Sequence, residues 1–337
     1  MKRIFICITL ILCLLTATAC SSLDTTLHHT WLTDDDPQLS ESFTYEVSYA
    51  DGMGTDTGVY NVRARKITPA NYDASAIAAM LDLMAVDEDS KALIPLDSQT
   101  SAKIISELDE KGGYLLTSNL AFETEYGVDV MESSLVLSST YRPLAMWKTL
   151  AVAAEQDQGY DPDKGYRSYV YSAQYTYNAS ATLLRYDAQV LHKTGATDTD
   201  YFTTSATEFT ANVWDSNQII YIMRSLNYTQ SNFSYSYEEP APLDGSLTST
   251  TLKQIVISAS SQTTDVLAKV NNMTPTSCHE IAMTLSNVAV QGRSALVYLT
   301  ANDYVVSFNG VNVALKKVPF KIVQGDLVFL LTDVTLQ

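Results

Sequence analysis

The chain has 337 residues, 46% of them hydrophobic, with 38 Asp and Glu against 21 Lys and Arg and a formal net charge of −17. So acidic a protein is a poor candidate for binding nucleic acid or anionic lipid, because gripping phosphates takes clustered Lys and Arg. It has enough apolar residues to bury a large core, and disorder is not expected beyond its N-terminal part.

Lys2 and Arg3 open the sequence, and Ile4 to Leu15 is apolar apart from Thr9 and the cysteines Cys7 and Cys13. That run is shorter than the ~20 apolar residues needed to span a bilayer, and it has the length of a signal peptide. Small residues follow, Ala17-Thr18-Ala19-Cys20-Ser21-Ser22. This stretch resembles the bacterial lipobox, in which small residues precede a lipidated cysteine. Ala17 stands where the pattern usually has Leu. The resemblance implies that residues 1–19 are removed, that Cys20 is lipidated, and that the protein is held to a membrane from its extracytoplasmic side. Several acyl chains on one residue anchor far better than a single chain. Loss of Lys2 and Arg3 takes the formal charge from −17 to −19. Of the four cysteines only Cys278 would remain free in the mature protein, so no intramolecular disulfide is expected.

Residues 20–41 are polar, include Asp34-Asp35-Asp36-Pro37, and read as a flexible tether. His28 and His29 could join those aspartates in a metal site, but a solvated linker accounts for them. Residues 42–337 are expected to form a single β-rich domain. Phe43, Tyr45, Val47 and Tyr49 alternate as in a strand, and 59–66 is its returning partner. A helical insertion interrupts near residues 71–111. Asp73 caps one helix with Ile77, Met80, Leu81 and Met84 at helical spacing, and 98–111 forms another that stops at Gly112-Gly113. Strands resume at 114–126 and 130–139. Asp161-Pro162-Asp163-Lys164-Gly165 is a turn, too short for a calcium loop.

Strand 167–178 places Tyr169, Tyr171, Tyr175 and Tyr177 on one face, with Ala173 between them. This stripe is either packed core or the lining of a groove for an apolar or sugar-like ligand. The expectation is a mixture, with the central tyrosines buried and the outer ones reaching the rim. After a strand at 182–192, Asp215 and Gln218 form a capping-box start to a helix with Ile219, Ile220, Met223 and Leu226 on its apolar side. Phe233, Tyr235 and Tyr237 share a parity, and further strands are expected at 252–258, 280–287, 295–299, 304–308 and 327–336, with turns at Asn302-Asp303 and Asn309-Gly310. Cys278 and His279 are neighbours in a strand and so point to opposite faces, which rules against a thiolate–imidazolium pair.

Four landmarks in this order resemble a broad family of uncharacterised bacterial envelope proteins with a β-clam domain, similar in architecture to the lipoprotein carriers LolA and LolB. They are Glu132 to Leu137 running into Tyr141-Arg142-Pro143-Leu144; the helix opened by Asp215 and ending Met223-Arg224-Ser225-Leu226; Pro275 to Ile281; and Val297 to Val306. The resemblance implies a curved antiparallel sheet, a half-barrel, wrapped over helix around an apolar hollow. It carries no catalytic residue.

Motifs of metalloproteases, serine hydrolases and phosphate-binding loops are missing from the sequence, so no enzyme activity, cofactor or metal is expected. The leading expectation is a lipid-anchored, non-enzymatic binder of an apolar or amphipathic ligand or peptide at the cell envelope. The alternatives are an envelope scaffold or adhesin touching polysaccharide or protein through its tyrosines, and a hydrolase whose paired carboxylates meet only in space.

Overall fold

The computed structural model describes residues 40–50, 57–67, 93–122, 128–137, 141–152, 168–178, 183–193, 199–209, 212–228, 233–240, 252–285 and 295–337, with 77, 80–82, 84–87 and 89. The expected signal peptide, Cys20, almost all of the expected tether and the expected turn at 161–165 lie outside these residues.

Among the described residues the fold is mainly β, as the alternation predicts. Fourteen strands make one antiparallel sheet. They are β1 (Ser40–Tyr49), β2 (Thr57–Ile67), β5 (Gly113–Phe122), β6 (Val128–Leu137), β7 (Pro143–Val152), β8 (Ser168–Tyr177), β9 (Leu183–Lys193), β10 (Thr199–Ala206), β11 (Phe233–Pro240), β12 (Leu252–Val266), β13 (Thr276–Leu285), β14 (Ala295–Thr300), β17 (Pro319–Gln324) and β18 (Leu327–Leu336). The order across the sheet is β10-β9-β8-β7-β6-β5-β2-β1-β18-β17-β14-β13-β12-β11. First and last strands therefore pair at its centre, with Ser40 and Gln337 exchanging backbone hydrogen bonds. Two small ribbons stand apart, β3 (Ala85–Val86) with β4 (Leu93–Ile94), and the hairpin of β15 (Tyr304–Phe308) with β16 (Val311–Leu315). Asn309 and Gly310 both have positive φ, 50° and 79°, as a two-residue hairpin turn requires.

The sheet curves, and its two edges are linked through one segment. Val213 bridges Glu238 on β11, and Trp214 N–H donates to the Glu238 carbonyl at 3.0 Å. The side chain of Val213 meanwhile packs with Met146, Tyr171, Tyr175 and Tyr186 from β7, β8 and β9. From this bridge the chain enters the concave side as a 3-10 turn (Ser216–Gln218) and helix α2 (Ile219–Ser225). The capping box read from the sequence is present: Asp215 accepts from Asn217 N–H, and Gln218 Oε1 accepts from Asp215 N–H, both at 3.1 Å.

Every residue of α2 is buried, and with Phe43, Tyr45, Val62, Leu116, Tyr141, Ile257, Ile281 and Phe320 it forms the main core. Arg224 goes down with it. Its guanidinium pairs with Glu41 of β1, with both side chains fully buried, donates to the Lys316 carbonyl at 3.0 and 3.2 Å, and lies 5.0 Å over the Phe43 ring. Burial raises the Glu41 carboxyl above the ordinary carboxylate range, and Arg224 offsets part of that rise. Glu41 thus belongs to strand β1, under the helix, and not to a linker.

On the convex side, α1 (Ser98–Lys111), capped by Asp97, packs Ile104 and Leu108 with Ile77, Leu81, Met84, Leu135 and Ala145. It ends at Gly112 (φ 68°). The next residue must be glycine too, since a Cβ on Gly113 would stand 2.3 Å from the Val136 carbonyl oxygen. Ile77, Met80 and Leu81 are helical; the rest of the first expected helix lies mostly outside the described residues, and Met84, expected on its apolar face, lies in a bend that leads into the extended Ala85-Val86.

A buried ion pair is worth little against an apolar replacement of the same shape, but breaking one half leaves an unpaired charge in the core. Glu41→Ala should therefore cost about 3–5 kcal/mol, measured by urea unfolding. Glu41→Leu with Arg224→Met should recover most of that loss. A Glu41→Ala protein as stable as the parent would refute this role.

Candidate functional site

Strand register shows which residues share the concave face. One row runs Phe43, Val62, Ser118, Glu132, Lys148 and Tyr171 across β1, β2, β5, β6, β7 and β8. A neighbouring row holds Tyr45, Tyr60, Leu120 and Val130, and beyond it come Val47, Gly58 and Phe122. The face is closed at one end and half open at the other. Beside α2 its residues Phe43, Ala64, Tyr114, Leu116, Val136, Leu331 and Val334 are buried. At the opposite end Tyr45, Val47 and Phe329 are buried too, while Tyr60, Leu120, Phe122, Val130 and Leu327 are half-buried and Tyr49 is 36% exposed. Three aromatic contacts hold this rim: Tyr49 with Phe122 at 6.3 Å, Tyr45 with Tyr60 at 5.8 Å, and Tyr60 with Phe329 at 5.4 Å.

Midway down this apolar wall lies a polar cluster. Glu132 and Lys148, side by side on β6 and β7, form an ion pair whose side chains are 9% and 12% exposed. The Ser216 hydroxyl donates to Glu132, 3.2 Å from each carboxylate oxygen, and Tyr60 hydrogen-bonds with Ser118. Next to Ser216, Asp215 accepts from the Ser134 hydroxyl at 3.0 Å and from Asn217 N–H. Its second oxygen is buried without a partner. Burial pushes the Asp215 carboxyl up to about 8, with Glu132 and Glu239 adding to the rise and Ser134 working against it. Asp215 is thus mainly a neutral carboxylic acid at pH 7.

The tyrosine stripe is placed as follows. Tyr171 and Tyr175 face the concave side and are buried, 1% and 5% exposed. The Tyr171 and Tyr186 hydroxyls lie 2.6 Å apart, and the rings of Tyr175 and Tyr186 are 5.5 Å apart. Tyr177 is half-buried at a break in register, donates to the Pro143 carbonyl at 2.9 Å, and lies under the Arg142 guanidinium. Tyr169 pairs with Leu150 and His192, and its side chain lies outside the described residues. Burial raises the hydroxyls of Tyr171, Tyr175 and Tyr177, and Asp215 contributes to each rise, which sets it beside the stripe.

The sequence did not single out Ser118, Lys148 or Ser216, nor Glu132 as more than part of a family landmark. Glu132 shares parity with Val130, Ser134 and Val136, the one usable signal; Lys148 lies in β7, which has no clean alternation. Cys278 is buried and its thiol pushed up to about 12 by desolvation, so it is inert, and His279 turns toward the Tyr228 ring 6.0 Å away. Asp215 is 1% exposed and caps the start of the helix.

No family model matches the chain, and no curated protein matches it. Among solved structures it is similar to a beta-barrel-like protein of a domain of unknown function, DUF1849, from Brucella abortus. The two are 7% identical with a TM-score of 0.41, over 89% of this chain and 98% of that one.

Two predictions follow from the packing. Tyr171→Ala should cost about 3–5 kcal/mol, as for large aromatic truncations, and Tyr171→Phe about 1 kcal/mol for the lost hydroxyl pair; thermal melts that do not move refute the core placement. Asp215 holds a proton in the folded state that the unfolded chain releases above pH ~4. Its folded value being raised, stability falls as pH climbs from ~4 to ~8, by at most roughly 1.4 kcal/mol per unit, and then levels. Asp215→Asn should remove one proton's worth of that slope in unfolding curves at pH 5, 7 and 9. An unchanged slope means that Asp215 is ionised when folded.

Proposed function

We propose that this protein is a lipid-anchored, extracytoplasmic binding protein whose concave face holds an amphipathic ligand. The observation that carries the reading is the graded concave face: sealed by α2 at one end, half-exposed and aromatic at the other, with a polar cluster between. The ligand's apolar part lies on Tyr49, Tyr60, Leu120, Phe122 and Leu327, where half-buried apolar surface favours contact over water. Its polar end reaches Glu132, Lys148 and Ser118, so that those groups stay hydrogen-bonded when water leaves. The scaffold reading needs outward tyrosines, and burial of Tyr171 and Tyr175 counts against it.

Membrane attachment through Cys20 is part of the same proposal and rests on the sequence. Cys20→Ala should release the protein from membranes or block its processing; a cleaved variant that stays in the membrane fraction ends the lipid-anchor reading. For the ligand, the test is native mass spectrometry of the protein purified from its host. The expected result is a retained small molecule on the parent and none on Leu120→Glu, which puts a carboxylate in the apolar wall. Equal spectra for the two, with the variant folded by circular dichroism, count against the concave face as the site.

A further inference from the structure

Two charged side chains stand together in the concave wall, and each is matched by the other. Glu132 on β6 and Lys148 on β7 occupy one row of that face, between Ser118 of β5 and Tyr171 of β8. They form an ion pair, with Glu132 9% and Lys148 12% exposed. On the same face their strands continue as Val130 and Ser134 on β6 and as Met146 on β7. Tyr60 and Leu120, next along β2 and β5, are the half-buried surface assigned above to the ligand's apolar part.

The groups around the pair are neutral or already engaged. Asp215, behind Ser216, holds its proton at pH 7, because burial pushes its carboxyl up to about 8. Half-buried Glu239 lies near enough to add to that rise, and its carboxylate accepts from the Tyr237 hydroxyl at 3.3 Å. Burial also raises the phenols of Tyr60 and Tyr171, which therefore stay neutral. Glu41 is matched by Arg224 under α2.

Each kind of head group would meet this belt differently. An anion finds Lys148 already paired with Glu132, and both Glu132 and Glu239 repel it. A cation must draw Glu132 away from Lys148, which strands an ammonium in an apolar wall, where an unpaired charge is costly. An uncharged hydroxyl or amide disturbs neither partner. It donates to the Glu132 carboxylate and accepts from the Ser118 hydroxyl while the pair stays closed. Hydrogen bonds to charged groups are stronger than neutral ones, so such a head still gains a firm contact.

We infer that the ligand of the concave face has an uncharged polar head bearing hydroxyl or amide groups, as on a monoacylglycerol, and that the Glu132–Lys148 pair selects it against anionic and cationic amphiphiles. This deepens the binding reading above and rests on it. The apolar wall accepts any chain of suitable length, and the closed ion pair decides which head may follow it in.

The test uses the mature protein in nanodiscs at pH 7 and photoreactive probes that share one alkyl chain and differ only in the head: a monoacylglycerol, an alkyl sulfonate and an alkyl trimethylammonium. Labelled peptides are located by mass spectrometry. The monoacylglycerol should label the β2 and β5 peptides around Tyr60 and Leu120 several-fold more than either charged probe. Glu132→Gln leaves Lys148 without its counter-charge and should shift labelling toward the sulfonate, while Lys148→Met should shift it toward the trimethylammonium. Folding of both variants is checked by circular dichroism, and the comparison on the parent protein stands without them. Equal or stronger labelling of the parent by a charged probe overturns the uncharged head and leaves the concave site intact. Folded variants that keep the parent's preference overturn the selecting role of the pair. Failure of every probe to label the concave strands overturns the site itself, and this inference with it.

Discussion

The concave side of the fourteen-stranded sheet is almost wholly apolar, and something must keep it from water. The chain assigns that task to α2, a helix so short that it could not persist alone. It exists because it is buried on all sides, and burial forces every polar group that comes with it to find a partner. Hence Arg224 meets Glu41 and the Lys316 carbonyl, the Lys317 ammonium meets the Leu226 carbonyl, Asn217 donates to the Leu116 carbonyl at 2.8 Å, and Gln218 donates to the Tyr141 carbonyl. These contacts fix the helix's rotation and depth, which apolar packing alone would leave slack.

Placing the helix at one end has a consequence for the other. Residues near α2 are sealed, while on β2 and β5 those a few positions along the same strands, Tyr60, Leu120 and Phe122, with the same parity and the same apolar character, remain half-buried. Between the two regimes the wall turns polar at Ser118, Glu132 and Lys148. A strand residue's face is set by parity and its burial by depth, so a single register produces seal, polar belt and apolar mouth in that order. The residues beyond the belt, Tyr60, Leu120 and Phe122 among them, are apolar surface that folding covers only in part.

How much of this the sequence discloses depends on the range of the interactions concerned. Alternation at Phe43 to Tyr49 and helical spacing in 98–111 are local, and both elements lie where they were read. The capping box at Asp215 is local as well, and it is there. Strand β7 carries apolar residues on both faces, Ala145 and Trp147 on the convex side and Met146 on the concave side, with Lys148 breaking the concave run, so its period-two signal vanishes. Strands β16 and β17 were missed for a similar reason, being short and broken by Lys316-Lys317-Val318. Glu41 looks like the end of a tether until Arg224, far along the chain, is placed over it. The cluster of Glu132, Lys148 and Ser216 comes from three separate segments and has no signature within any of them.

Tyrosine is the residue this architecture uses most tellingly, with 21 in the chain against 9 phenylalanines. The hydroxyls explain the preference. Tyr45 donates to the Pro319 carbonyl at 3.0 Å, Tyr177 to Pro143, and Tyr228 to Met223 at 2.6 Å, while Tyr235 accepts from the Trp214 indole at 3.0 Å. The rings of Tyr45, Tyr228 and Tyr235 are buried in the core and that of Tyr177 is half-buried, and most of these hydroxyls tie the ring to a different element: β1 to β17, β8 to the start of β7, β11 to the segment that follows β10. One such bond contributes about 1 kcal/mol net, but leaving its acceptor bare in the core would cost more. With Cys278 free and buried, the ties that a disulfide might make fall to phenol groups, which bury as much apolar surface as phenylalanine and still satisfy the backbone ends that a curved, open sheet leaves at its rims.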